Sequence, residues 1–242
     1  ALHNFQEGIA VAKPWNNWEA LVPGYAGLAR VRAAQGDWQG AFTALDELAA
    51  LGQNNPDAVM PAVESFRATL WAAQGEVEAA RRWAQTVGLD AEGEIDYLRE
   101  GEFIILARVL IAQKNWDEAT RLIDRLLDAT ETGERWGHVI ELSILRALVL
   151  SAQGKQDEAL EPLTRAFTLA EPGGYVRIFV DEGKPVAALL RQLPVAPYRD
   201  HLLSAFSKSE EQGGRGAEER RDLPAPLFPR TPALVEPLSK RE

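Results

Sequence analysis

Apolar side chains along this chain fall at the three- and four-residue steps of an α-helix, as with Phe103, Leu106, Ala107 and Leu110. The same pattern of apolar and polar positions returns four times. The stretches "YAGLARVRAAQGDWQGAFTAL" from Tyr25, "ESFRATLWAAQGEVEAARRWA" from Glu64, "FIILARVLIAQKNWDEATRLI" from Phe103 and "SILRALVLSAQGKQDEALEPL" from Ser143 align without gaps. Gln35, Gln74, Gln113 and Gln153 hold one place in them, at spacings of 39, 39 and 40 residues. A fixed period of this size marks a repeat architecture. Each unit predicts a helix, a turn and a second helix. Ala29, Ala68, Ala107 and Ala147 stand in the first helices, seven positions before the turn, where a methyl group lets a partner helix come close. Gly36, Gly75 and Gly154 mark the turn, with Lys114 in their place once, and glycine there suits the positive φ that ends a helix. Ala41, Ala80, Ala119 and Ala159 lie five residues past the turn, and Trp38 and Trp116 two residues past it.

A small residue, a turn glycine, an aromatic and an alanine at these offsets resemble the tetratricopeptide consensus, from about Tyr25 to Ala170. The resemblance implies an all-α fold, a solenoid of helical hairpins wound as a right-handed superhelix. Since one hairpin cannot bury its apolar face alone, neighbours must stack. The period exceeds the usual 34 residues, which predicts longer helices or longer loops between repeats. Upstream, "NFQEGIAVA" reads as the second helix of a preceding repeat, cut through at its start, and Pro23 either opens the next helix or kinks it.

After Ala170 the pattern changes. In "EPGGYVRIFVDEGKPVAALLRQL" the residues Tyr175, Ile178 and Phe179 fit a helix, whereas Val176, Ile178 and Val180 alternate as a strand would; periodicity alone leaves both open. Residues 186–193 and 198–206 read as two short amphipathic helices separated by Pro194 and Pro197. From Ser207 the composition turns to glycine, proline and charge, the signature of a linker. The expected division is therefore a repeat domain over 1–206 and a linker over 207–242.

Composition narrows the functions. The net charge is −10, the wrong sign for neutralising phosphates, so direct nucleic-acid contact by this segment and adsorption to an anionic membrane are not expected. The chain has no cysteine, which removes disulfides, thiolate nucleophiles and Cys-ligated zinc. The longest apolar run, 103–112, is interrupted by Arg108 and too short to span a bilayer. No Gly-Lys-Ser/Thr phosphate loop occurs, and "GGRG" at 213–216 reads as spacer. Glu134, His138 and Glu141 share a helical face at i, i+4 and i+7, but glutamate and histidine on a solvated face are the commoner case, and no metal or other cofactor is expected. Asp181 and Glu182, adjacent in sequence, read as solvated charge. No convergent carboxylate pair points to an enzyme.

The "EPGGYVRIFVDEG" stretch, the repeats before it and the closing "PLSKRE" together resemble the large ATP-binding LuxR-type bacterial transcriptional activators of the maltose-regulon-activator kind. There, a tetratricopeptide-like superhelix and a linker precede a helix-turn-helix that opens with "LSxRE", matched here by residues 238–242. The resemblance implies a cytoplasmic sensor and coupling region that binds a small-molecule inducer or a regulatory protein. Such binding biases self-association, while DNA binding belongs to a domain beyond this chain. An interaction scaffold for a partner, or for a second copy, uses the same curved surface.

In such a superhelix the first helix of each pair lines the concave face. Alignment on the turn places Arg30, Thr69, Arg108 and Leu148 at one such position, and Ala33, Ala72, Ile111 and Ser151 at the position one turn on. Arg30 and Arg108 bring guanidinium groups suited to carboxylate or phosphate, or else to an inter-repeat salt bridge. Trp71 edges the groove. Arg30, Thr69, Trp71, Arg108 and Ile111 are the expected binding residues. Of the other tryptophans, Trp38, Trp116 and Trp83 read as packing, and Trp15, Trp18 and Trp136 as partly exposed near helix starts.

Overall fold

The four expected turns share one backbone geometry. Gly36, Gly75 and Gly154 have φ of 81°, 86° and 81°, and Lys114 follows them into the left-handed region at 58°. In each case the next N–H reaches back to a carbonyl five residues earlier: Asp37 to Arg32, Glu76 to Trp71, Asn115 to Leu110 and Lys155 to Leu150, at 2.8 to 3.0 Å. That bond is the signature of a glycine-ended helix, and it satisfies a carbonyl the helix would otherwise leave open. Glu134, at φ 54°, repeats it with the Arg135 N–H bonded to Thr130. A left-handed residue with a Cβ carries a cost of roughly 1–2 kcal/mol, partly offset by the chain entropy that glycine adds to the unfolded state. Replacing the exposed Lys114 with glycine is therefore expected to stabilise the fold by roughly 0.5–1 kcal/mol. Urea unfolding checks this, and a loss of stability would show that the Lys114 side chain contributes something the turn geometry does not require.

The computed structural model describes residues 2–213, all helical apart from turns and connectors. Helix α1 (Leu2–Ala12) packs on α2 (Trp18–Ala34), which pairs with α3 (Trp38–Leu51). The second hairpin is α4 (Pro56–Gln74) and α5 (Val77–Thr86); the third, α6 (Glu100–Ala112) and α7 (Trp116–Thr132); the fourth, α8 (Trp136–Ala152) and α9 (Gln156–Ala170). Three further helices follow, α10 (Arg177–Val180), α11 (Lys184–Leu190) and α12 (Pro197–Gly213). The first helices run in contact from α2 to α4 to α6 to α8, which is the stacking a hairpin solenoid requires. Long helices absorb the extra period in most repeats. Between the second and third repeats a connector over 87–99 absorbs it, tied down by Arg125 donating to the Ala91 and Gly93 carbonyls.

The eight repeat alanines are all buried, seven of them with no exposed surface and Ala107 and Ala119 among these. Pro23 lies inside α2, whose start is capped by Asn17 accepting from the Ala20 N–H at 3.3 Å; the proline neither opens nor ends the helix. The upstream segment α1 docks through Phe5, whose ring sits against Gly27 where a Cβ would collide at 2.2 Å.

Apolar burial divides into two clusters. One, from Ile9 to Ala73, contains Leu21, Tyr25, Leu28, Leu45, Leu48, Val59 and Val63. The other runs from Ala68 to Phe206. Helix α4 contributes to both, with Val59, Val63, Leu70 and Ala73 to the first and Ala68 and Ala72 to the second. The seam between the clusters is thus a single helix.

Helices α6 and α8 are buried on every side: Phe103–Ile111 without a break, and Val139–Leu150 except for Arg146. A helix apolar all round is one that other elements enclose. Here α7 and α9 cover one side, and α10 and α11 pack against α8. The ambiguous stretch at 176–180 is the short helix α10, not a strand. Gly174, at φ 60°, turns the chain into it, and Ile178, Phe179 and Val180 are all buried, which satisfies an apolar triplet that a one-sided strand could not. Helices α11 and α12 fulfil the two expected C-terminal helices, and α12 continues to Gly213. Residues 214–242, with the "LSKRE" sequence, lie outside the described residues.

Candidate ligand-binding and coupling site

Six charged side chains from four helices and the turn after α10 meet on the first-helix layer. Arg108, from the middle of α6, is 1% exposed. It donates from Nη2 to Glu141 Oε1 of α8 at 2.7 Å and to Glu182 Oε1 at 2.8 Å, and from Nη1 to Glu182 Oε2 at 3.2 Å. The bond to Glu182 is therefore bidentate, the arrangement a planar guanidinium favours. Asp181, beside Glu182, ion-pairs with Arg177 within its own helical turn and faces Arg30 Nε of α2 at 3.9 Å. Asp181 is 6% exposed, yet neither of its oxygens accepts a hydrogen bond of good geometry. Such buried acceptors are uncommon and mark positions where a polar partner fits.

Charge balance explains how this cluster is tolerated. Burial works against the charge on Arg108, but Glu182 and Glu141 outweigh it and raise its pKa far above the ordinary arginine value. Glu182 is pushed up, first by burial and then by the nearby carboxylates of Glu141 and Asp181, against the pull of Arg108. One arginine shared by two buried glutamates cannot fully satisfy both.

A second polar cluster fixes the starts of α6 and α8. Glu100, 2% exposed, accepts from Arg135 Nε at 2.7 Å and contacts His138. Burial alone would raise its pKa; the hydrogen bonds from His138 and Arg135 prevail and hold it below the usual carboxylate range. His138 and Glu141, which with Glu134 share a helical face in the sequence, are thus turned to different partners, Glu100 and Arg108. No group of three or more metal-ligating side chains occurs among the described residues.

The residues singled out from the sequence separate into open and covered positions. Arg30 is partly open, with 25% of its side chain exposed; among the described residues its ionic partner is Asp181 and it donates no hydrogen bond. Trp71 is partly buried at the seam, its ring 6.4 Å from that of Phe42. Thr69 is buried and bonded to the Ser65 carbonyl at 3.0 Å, a local helix contact. Arg108 and Ile111 lie on the first-helix layer but are buried, Arg108 beneath the turn that follows α10. Arg30 and Arg108 are brought to the same pair of adjacent carboxylates.

Those carboxylates were expected to be solvated, and that expectation is corrected: Asp181 and Glu182 are buried. The signal was in the sequence in two halves. Arg108 and Glu141 interrupt otherwise apolar helices, so each requires a buried partner, and "DEG" directly follows the apolar Ile178, Phe179 and Val180. Spacing along one helix could not reveal a bond spanning 74 residues.

Beyond this layer, Trp15, Tyr97, Leu98 and Trp136 stand exposed near the starts of first helices, Trp15 at 83%. No helix among the described residues is long and apolar enough to cross a membrane.

Comparison with known proteins places residues 1–196 within the family described as the MalT-like TPR region. The chain is also 31% identical over 129 residues to the HTH-type transcriptional regulator MalT of Serratia proteamaculans (strain 568). That alignment covers 51% of this chain but 14% of the relative, so the chain corresponds to a small part of that protein's length. No solved structure matches the chain.

Proposed function

The chain belongs to the MalT-like tetratricopeptide family, and from that premise we propose that it is the effector-sensing and signal-coupling repeat domain of a bacterial transcriptional regulator. A small-molecule inducer binds on its first-helix face. The observation that carries this reading is the loosely held Arg30: a partly exposed guanidinium with no hydrogen bond, 3.9 Å from a buried Asp181 carboxylate whose closer ionic partner is Arg177. A ligand with both donors and acceptors satisfies both groups. DNA binding and any nucleotide chemistry belong to other parts of the full protein.

A second reading, docking of a regulatory protein or of another copy of the chain, is favoured by the exposed Trp15, Tyr97, Leu98 and Trp136. One experiment separates the two. A melt of the domain against sugars, nucleotides and common metabolites is expected to give a shift from one chemical class. A ligand at a hundred times its dissociation constant stabilises the fold by about 2.7 kcal/mol, which is roughly 5–10 °C for a domain of this size. Arg30→Ala should weaken that ligand at least about tenfold, the order of one charge-assisted hydrogen bond, while leaving the unliganded melt nearly unchanged. A broad library without a shift, or a ligand indifferent to Arg30→Ala, transfers the function to the exposed aromatic residues.

A further inference from the structure

The repeat array is held together on its first-helix side by a contact that spans almost the whole fold. Arg30 belongs to α2 in the first apolar cluster, and Asp181 follows α10 in the second. Among the described residues no other ion pair or side-chain hydrogen bond joins a residue before α4 to one after it; Arg67 with Asp46 joins α4 itself to α3. The two clusters share only α4, so the rotation that costs least apolar contact is one about that helix. The pair that resists such a rotation is a weak one, 3.9 Å apart and partly solvated, whereas Glu182 next to it is anchored twice to Arg108.

We propose that the array is a clamp, hinged at α4 and closed by Arg30 on Asp181. The regulation it supplies rests on the ligand reading above, whereas the closing contact does not. A ligand placing an acceptor between Arg30 and Asp181 opens the clamp. Because Asp181 ends α10, opening changes how α10 to α12 sit relative to the first repeat, and residues 214–242 follow directly from α12. Binding on the first-helix face thereby reaches the C-terminal end without any change inside a repeat.

The absence of cysteine makes a clean distance measurement available. Spin labels on Ala50→Cys of α3 and Ala188→Cys of α11, both exposed, report the separation of the two bodies across the hinge in the whole 242-residue chain. The closed clamp gives one narrow distance distribution. Arg30→Ala should add a second, longer population, and so should 1 M salt acting on the unaltered pair, since screening there falls to about 3 Å. Asp181→Asn combined with Arg30→Ala should do no more than Arg30→Ala alone, the mark of one shared contact. Arg177→Ala, which removes the other partner of Asp181, should leave the narrow distribution in place. A distribution unchanged by Arg30→Ala and by salt overturns the clamp, whatever ligand is found. So does a double variant whose effects add. Because no ligand enters this experiment, its failure is distinct from a failure of the ligand reading, which the melts decide.

Discussion

Arg108→Ala should lower the stability of the domain by about 3–5 kcal/mol, the usual cost of removing one partner from a buried ion pair. At about 2–4 °C per kcal/mol for a chain of this size, the melting temperature falls by roughly 6–20 °C. The size follows from what is left behind. Glu141 and Glu182 are 2% and 3% exposed, and among the described residues Arg108 is their ionic partner. Removing it strands two carboxylates beside one another, with Asp181 adjacent. The loss should be larger at about pH 8 than at about pH 5. A group whose folded pKa is raised, as Glu182's is, contributes stability below its unfolded value, near 4.3. That contribution is lost as pH rises through the folded value. Without Arg108 the folded value rises further, so the penalty extends to more alkaline pH. The companion variant Arg108→Met, Glu141→Leu, Glu182→Leu should recover most of the stability, since apolar side chains of similar volume replace buried charge well. Unfolding in urea at both pH values checks the series. A single variant within about 1 kcal/mol of the parent at pH 8 would mean that water or rearrangement reaches the two glutamates.

The contrast between the two arginines shows what was readable in the chain before folding. The turns, the eight small contact residues and the paired helices were legible because they are local: a positive φ, a close helix approach and a 3.6-residue period each leave a mark within one repeat. Even Lys114 could be placed at a glycine position by alignment alone. The placement of Arg30 and Arg108 on the first-helix layer was legible for the same reason. Their different surroundings were not. Whether that layer stays open depends on α10, which arrives from outside the repeats and satisfies an apolar requirement set by α6 and α8. The apolar character of Phe103–Ile111 on all faces did announce a covering element. Its identity lay some 70 residues away, in a stretch where helix and strand periodicities coincide. Burial of Asp181 and Glu182 follows from that docking and from nothing in their own neighbourhood.

Phe179→Ala tests that docking, with an expected cost of about 3–5 kcal/mol, the range for removing a buried aromatic ring. Phe179 has no exposed surface and meets Tyr198 edge to face, ring centres 6.3 Å apart; Tyr198 in turn lies 4.9 Å from Phe167 of α9 and donates to the Tyr175 carbonyl. One ring therefore joins α10 to α12 and, through Tyr198, to the last repeat. Repeat arrays lose stability unit by unit, because each unit contacts only its neighbours. The cost should consequently fall on the terminal helices, with the first three repeats spared. Hydrogen exchange is expected to show protection lost over 177–206, while α2 to α7 stay protected. Detachment also uncovers Arg108, so Phe179→Ala should abolish the closed distance between α3 and α11 even though Arg30 and Asp181 are both intact. A uniform loss of protection from α2 to α12 would instead make the repeats and the terminal helices one cooperative unit. In that case α10 is inseparable from the repeats, and any displacement of it carries α6 and α8 along.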